Sequence, residues 1–152
     1  MQHQIPVHDA PTPRKAIQAW EPDWLKRKAF DLAVVVSFGY FLPRHILNHF
    51  SLGALNVHPS LLPLYRGSAP IQHAIINGDR ETGISIIDLD QSRFDAGRIL
   101  KQSRFQIPNH EHIRYQELHD FLALKGGEDL VDVIQNLEYY QVTFYYRILF
   151  HD

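Results

Sequence analysis

The stretch Asp31–Phe38 reads DLAVVVSF, a short unbroken apolar run rich in β-branched residues. Its length and composition predict a strand buried on both faces, as in a parallel sheet. Gly39-Tyr40 breaks the run, and Pro43 can open a helix running to Phe50. Ser51-Leu52-Gly53 stops that helix, and Ala54–Val57 is a second buried strand. Strand, crossover helix and strand thus fit between Asp31 and His58, which defines a βαβ unit, right-handed by default. A chain with this unit is expected to be α/β.

The flanks add elements to that frame. Trp20–Lys28 reads as a short helix and Ala69–Asn77 as another, with Gly78 closing it. Gly83–Asp90 and Ile99–Ile107 read as an antiparallel pair joined by a turn at Asp95–Gly97. Ile113–Leu124 and Glu128–Leu137 read as two helices split by Gly126-Gly127, with Leu130, Ile134 and Leu137 as an apolar stripe. Gln141–Phe150 is aromatic and β-branched and reads as a strand.

Composition removes several classes of function. The 152 residues contain no cysteine, which excludes a disulfide framework, thiolate catalysis and Cys-ligated zinc. A formal charge of −2 gives no global positive field toward nucleic acid or anionic lipid. No apolar run approaches the ~20 residues of a membrane helix, so no membrane partner is expected. Asn109-His-Glu-His112 has metal-capable side chains, but they crowd one polar loop after Pro108, so no metal is expected. His45, His49, His73 and His119 fall on predicted helices and read as surface or satisfied residues.

Asn56 and His58 stand at i and i+2 at the end of the second strand, so they share a face opposite Leu55 and Val57. Open α/β sheets bind ligands beyond the carboxyl ends of their strands. An amide donor for a developing oxyanion and an imidazole that moves protons near neutral pH would then sit side by side. The two residues alone equally fit a strand-end cap and a satisfied loop histidine. Asp95 on its turn can reach that imidazole, and it also fits an ordinary turn residue. Arg66 with Tyr65 is open between ligand contact and loop packing.

The whole string Asn56–Gln72, NVHPSLLPLYRGSAPIQ, resembles the signature of the folate-dependent formyltransferases. Its continuation HAIINGDRETGISI is similar to the branch that acts on methionyl-tRNA, and SRFDAGRIL resembles that branch in its mitochondrial wording. The resemblance runs from about Pro6 to about Leu137. It implies a partial Rossmann-like formyltransferase domain with a mostly parallel sheet and an antiparallel hairpin. It also implies transfer of a formyl group from 10-formyltetrahydrofolate to the amino group of initiator methionyl-tRNA, without metal. The family's catalytic Asn, His and Asp match Asn56, His58 and Asp95. Its folate-binding segments match Phe38, Gly39, Tyr40, Leu42 and Pro43, and Ser60, Leu61, Leu62, Pro63 and Arg66. Residues 1–138 are expected to be a catalytic domain without the family's first strand–helix–strand unit, and residues 139–152 a non-matching tail. A mitochondrial location, or a cytoplasmic one for a bacterial protein, and a monomeric full-length form follow from the resemblance alone. Another enzyme using 10-formyltetrahydrofolate, whether transferase or hydrolase, and an inactive folate-binding fragment both remain open.

Overall fold

The computed structural model describes residues 5–12, 14–27, 30–89 and 95–150. A 3₁₀ helix, Arg14–Ala19, precedes helix α1, Asp23–Arg27, which is the predicted helix Trp20–Lys28 in shortened form. Pro22 lies between them, and its missing N–H and fixed φ separate the two segments. Then follow strand β1 (Ala33–Val36), helix α2 (Arg44–Leu47), strand β2 (Ala54–His58) and helix α3 (Pro70–Ile76). Strands β3 (Glu81–Asp88) and β4 (Ile99–Gln106) and helices α4 (Tyr115–Gln135) and α5 (Leu137–Phe150) complete the chain. The predicted strand end at Asp90 lies outside the described residues.

The strands form one sheet in the order β1-β2-β3-β4. β1 and β2 are parallel, as the βαβ reading requires. β2 pairs antiparallel with β3, and β3 with β4. The fold is α/β as expected, with a sheet that is mixed rather than mostly parallel. The connection from β2 to β3 passes through α3 and returns antiparallel.

The register sorts side chains onto two faces. Leu55, Val57, Ile84 and Ile86 face α4, where they meet Leu118, Leu122 and Val133 in the core. Burying one such aliphatic side chain contributes ~1.5–3 kcal/mol, so this layer holds the fold together. Asn56, His58, Ser85 and Ile87 occupy the opposite face. β1 departs from the two-sided burial expected of it. Val34 and Val36, in register with Leu55 and Val57, are 43% and 55% exposed. α4 lies over β2 and β3, and at the end of the sheet order no described element covers that face of β1.

α4 runs unbroken through Gly126-Gly127, where a split was expected. A Cβ on Gly126 would lie 3.0 Å from Val57 Cγ1 and 3.5 Å from Ile84 Cδ1, so the glycine lets helix and sheet approach closely. The buried stripe is Leu118, Leu122, Gly126, Asp129 and Val133, whereas Ile134 of the predicted stripe is exposed. α5 replaces the expected terminal strand. It is tied to the body through Tyr140, which donates to Asp132 Oδ2, and Asp132 also accepts from Lys101 Nζ on β4 at 2.8 Å. Burial pulls the Lys101 ammonium down, but its hydrogen bonds to Asp129 and Asp132 outweigh it and the net shift is upward.

Candidate active site

On the sheet face opposite Leu55 and Val57, the middle of segment 59–67 packs over β3 and β4. Ser85 is fully buried there, and its Oγ donates to the Ser60 carbonyl at 2.7 Å. The same oxygen accepts from the Leu62 amide at 3.1 Å and from Gln102 Nε2 at 2.9 Å. Gln102 also donates to the Leu62 carbonyl at 3.0 Å. These buried polar atoms are all paired, and orphaning one costs ~1–3 kcal/mol, so the segment is fixed in place. The β1–β2 half stays open as the floor of a cleft of about 540 Å³. That volume falls in the ~300–1,000 Å³ range of small-molecule sites.

The floor presents Val35, Asn56, His58 and Ile87. One wall is the segment after β1, with Phe38, Gly39, Tyr40, Phe41 and Leu42. The Phe38 and Tyr40 rings lie 5.2 Å apart. The lining also includes Ser68, Pro70 and Gln72 near the start of α3, and Tyr115 and His119 on the first turns of α4.

Asp95 joins the cluster from its turn, in the left-handed region at φ 48, which Asp tolerates better than most residues. Asn56 Nδ2 donates to Asp95 Oδ1 at 2.8 Å, and the Gly67 amide donates to Oδ2 at 2.9 Å. His58 Nδ1 lies 3.4 Å from Asp95 Oδ1. The other ring nitrogen, Nε2, donates to the Tyr65 carbonyl at 3.0 Å. A carbonyl only accepts, so Nε2 carries a proton. Nδ1 is therefore the nitrogen left facing the Asp95 carboxylate. His58 is 4% exposed, so this contact is shielded from water.

Tyr65 also has a positive φ, 55°. That conformation costs ~1–2 kcal/mol in a residue with a Cβ. Its phenol donates to Asp79 Oδ2 at 2.7 Å and accepts from Asn77 Nδ2 at 2.8 Å. A hydrogen bond to a charged group contributes ~1.5–3 kcal/mol, enough to offset the backbone strain. The Asp79 bond also holds the phenol above its ordinary pKa of 10.0, against the opposing donation from Asn77.

The structure brings Asn56, His58 and Asp95 together, and sets Phe38, Gly39, Tyr40 and Leu42 around them. It does not bring the other expected ligand contacts to the cleft. Pro43 is buried at the start of α2, and Ser60 and Leu62 are buried against β3 and β4. Leu61 packs on Gly83, while Pro63 and Arg66 face solvent. Sequence reasoning missed Gln72, Tyr115 and His119. The spacing of Tyr115 and His119 at i, i+4 on a helix entering from the loop after β4 was the available signal. Asp95 is described, but Ser92, Arg93 and Phe94 of its segment lie outside the described residues. Among the described residues no group of three or more His, Asp or Glu is placed to hold a metal ion. No described helix is long and apolar enough to cross a membrane.

Fold and site together define an α/β protein with an Asn–His–Asp cluster in a cleft beyond the ends of two parallel strands. The chain belongs to the formyl transferase family, whose sequence profile matches residues 3–134. It is 49% identical over 108 residues to the methionyl-tRNA formyltransferase of Wolbachia sp. subsp. Drosophila simulans, covering 71% of this chain and 35% of that protein. Against the same-named protein of Staphylococcus epidermidis it is 42% identical over 135 residues, 89% of this chain and 42% of the other. The chain therefore spans between about a third and two fifths of the length of these curated relatives. Among solved structures it superposes on phosphoribosylglycinamide formyltransferase from Bacillus halodurans with a TM-score of 0.60 and 27% identity, over 68% of this chain and 52% of that one. A sugar N-formyltransferase-like protein from Mycobacterium tuberculosis, at 20% identity and TM-score 0.61 over 87% of this chain and 52% of that one, shares the fold. These relatives are bacterial, and the mitochondrial location expected from the Asp95 segment finds no support in them.

Proposed function

We propose that the cleft transfers a formyl group from 10-formyltetrahydrofolate to the α-amino group of methionyl-tRNA. The observation that carries this reading is the convergence of Asn56, His58 and Asp95 on the floor of one cleft. The identity to methionyl-tRNA formyltransferases over most of the chain supports the choice of acceptor. The cleft also fits the donor in character. Phe38, Tyr40, Phe41 and Leu42 offer an apolar, aromatic wall for a flat ring system, and its volume suits a ligand of that size.

When bound, the folate donor supplies an activated formyl carbon. Asn56 uses one of its two amide N–H bonds on Asp95, and the other is available to an oxygen that becomes negative during attack. The Nδ1–Oδ1 separation of 3.4 Å is longer than the hydrogen bonds beside it. A reacting group entering there meets the imidazole N–H, the Asn56 amide and the Asp95 carboxylate together. Asp95 takes up the proton that the attacking amine must lose, and His58 returns one to the departing nitrogen, so no net proton is consumed. The two groups are held by Gly67 and Tyr65, which fixes them before substrate arrives.

The same reading takes the chain as the catalytic part of a monomeric enzyme, with the family's first strand–helix–strand unit beyond β1 and a separate tRNA-gripping domain in the complete protein. The exposed Val34 and Val36 support the first of these, since a covered face is the usual state of such residues in a parallel sheet. A panel of acceptors tests the function. With 10-formyltetrahydrofolate as donor, methionyl-tRNA should be formylated with a kcat/KM well above glycinamide ribonucleotide, an amino sugar and water. Preference for any of the other three would reassign the acceptor.

A further inference from the structure

Tyr65 sits outside the cleft lining, yet it is the residue that meets His58 Nε2. What holds it comes from α3. Gly78, at φ 64, closes that helix, with its amide donating to the Ile75 carbonyl and the Asp79 amide to the Ala74 carbonyl, each at 3.0 Å. This paired closure is a Schellman cap, and it fixes the backbone from which the Asp79 carboxylate reaches the Tyr65 phenol. One turn earlier, the His73 ring stacks on the Tyr65 ring at 5.8 Å and 11°. The phenol, the ring and the carbonyl of Tyr65 therefore each have a partner, and the backbone between them is in the left-handed region.

We propose that Tyr65 and Asp79 are a positioning pair that, through the Tyr65 carbonyl, keeps the proton of His58 on Nε2 and leaves Nδ1 as the nitrogen that gains and loses a proton beside Asp95. The proposal rests on the reading of His58 as the proton-handling group and goes beyond it by naming what sets its tautomer. The physical basis is the accept-only character of the carbonyl. While it lies 3.0 Å from Nε2, a neutral ring has its lone pair on Nδ1. Nδ1 faces Asp95 Oδ1, which itself holds the Asn56 amide. Around Tyr65 the polar groups are Asp79, Asn77 and His73, all from α3 or its cap. Without the phenol–Asp79 bond, residue 65 has less to hold it at positive φ. Relaxation to the ordinary negative φ swings the carbonyl away, and either ring nitrogen can then carry the proton.

The tautomer can be read without turnover, by long-range proton–nitrogen NMR of the ¹⁵N-labelled His58 ring in the intact chain. The wild type should show Nε2 as the protonated nitrogen of the neutral ring. Tyr65→Phe keeps the ring stacked on His73 but removes the O–H. It should give averaged ring nitrogens, reporting a mixture of tautomers, with the backbone amide spectrum otherwise preserved. Asp79→Asn keeps an oxygen for the phenol without the charge and should show less tautomer averaging than Asp79→Ala, which should behave as Tyr65→Phe. In turnover the disruptive variants should lose ~10–100-fold in kcat, the scale of a small misplacement, with a far smaller change in KM for the folate donor. A wild-type ring protonated on Nδ1 alone, or an Nε2 tautomer kept in both Tyr65→Phe and Asp79→Ala, overturns the proposal. Formyl transfer unaffected by His58→Ala would instead overturn the functional reading, while the NMR result would still decide the tautomer.

Discussion

His58 is held at both ring nitrogens, by Asp95 on one side and Tyr65 on the other. Asp95 in turn accepts from Asn56 and Gly67, so its two oxygens do different work. An amide at position 95 has one accepting oxygen, not two, and would set an N–H against either the Asn56 or the Gly67 donor. Asp95→Asn should therefore lower formyl transfer by ~10²–10⁴-fold, the range for losing a placed proton-transfer group. The exposed His112 should tolerate replacement by Ala with no change in rate. Comparing initial rates of the two folded variants checks the assignment. His73 would be a poor control, because its ring supports Tyr65.

The elements show where local sequence signals lose to packing. β-branched composition located β1, the strand–helix–strand pattern placed β2, alternation with the turn at Asp95–Gly97 gave the β3–β4 pair, and the i, i+2 rule put Asn56 and His58 on one face. Three-dimensional context decided the rest. A Gly-Gly pair reads as a helix stop, yet α4 continues because Gly126 faces Val57 and Ile84 across a close contact. Gly127 has open space around its Cβ position. Gly127→Ala should thus stabilise the protein by up to ~1 kcal/mol through helix propensity. Gly126→Ala should lower Tm relative to Gly127→Ala, since its methyl must displace Val57; thermal melts of the two variants compare them directly. The aromatic tail suggested a strand, but from Leu137 the chain forms a helix, tied to α4 and β4 by Tyr140, Asp132 and Lys101. Nothing in the string Ser60–Pro63 distinguishes a segment that lines a cleft from one bonded to Ser85 and Gln102 beneath it.

At the scale of the molecule, two phenols tie separate parts together. Hydrogen bonding to Asp79 raises the Tyr65 pKa, and hydrogen bonding to Asp132 raises that of Tyr140, both from 10.0. A raised native pKa means that the folded state binds the proton more tightly, so this stabilisation is present below pH 10 and is lost as pH rises above it. Tm should fall on alkaline titration beyond that point, and Tyr140→Phe should lower the neutral Tm while flattening the alkaline decline. Melting curves across the range measure both effects. The chain spans only part of its relatives' length, and its sheet ends in a β1 whose Val34 and Val36 are exposed, but the Asn56–His58–Asp95 cluster lies within the described residues.

The most direct measurement is a single-turnover assay with the chain in excess, following a labelled formyl group from 10-formyltetrahydrofolate to methionyl-tRNA. The account predicts formyl-methionyl-tRNA with the wild-type chain and at least a ~10²-fold slower appearance with a folded His58→Ala variant. Equal rates for the two would contradict it.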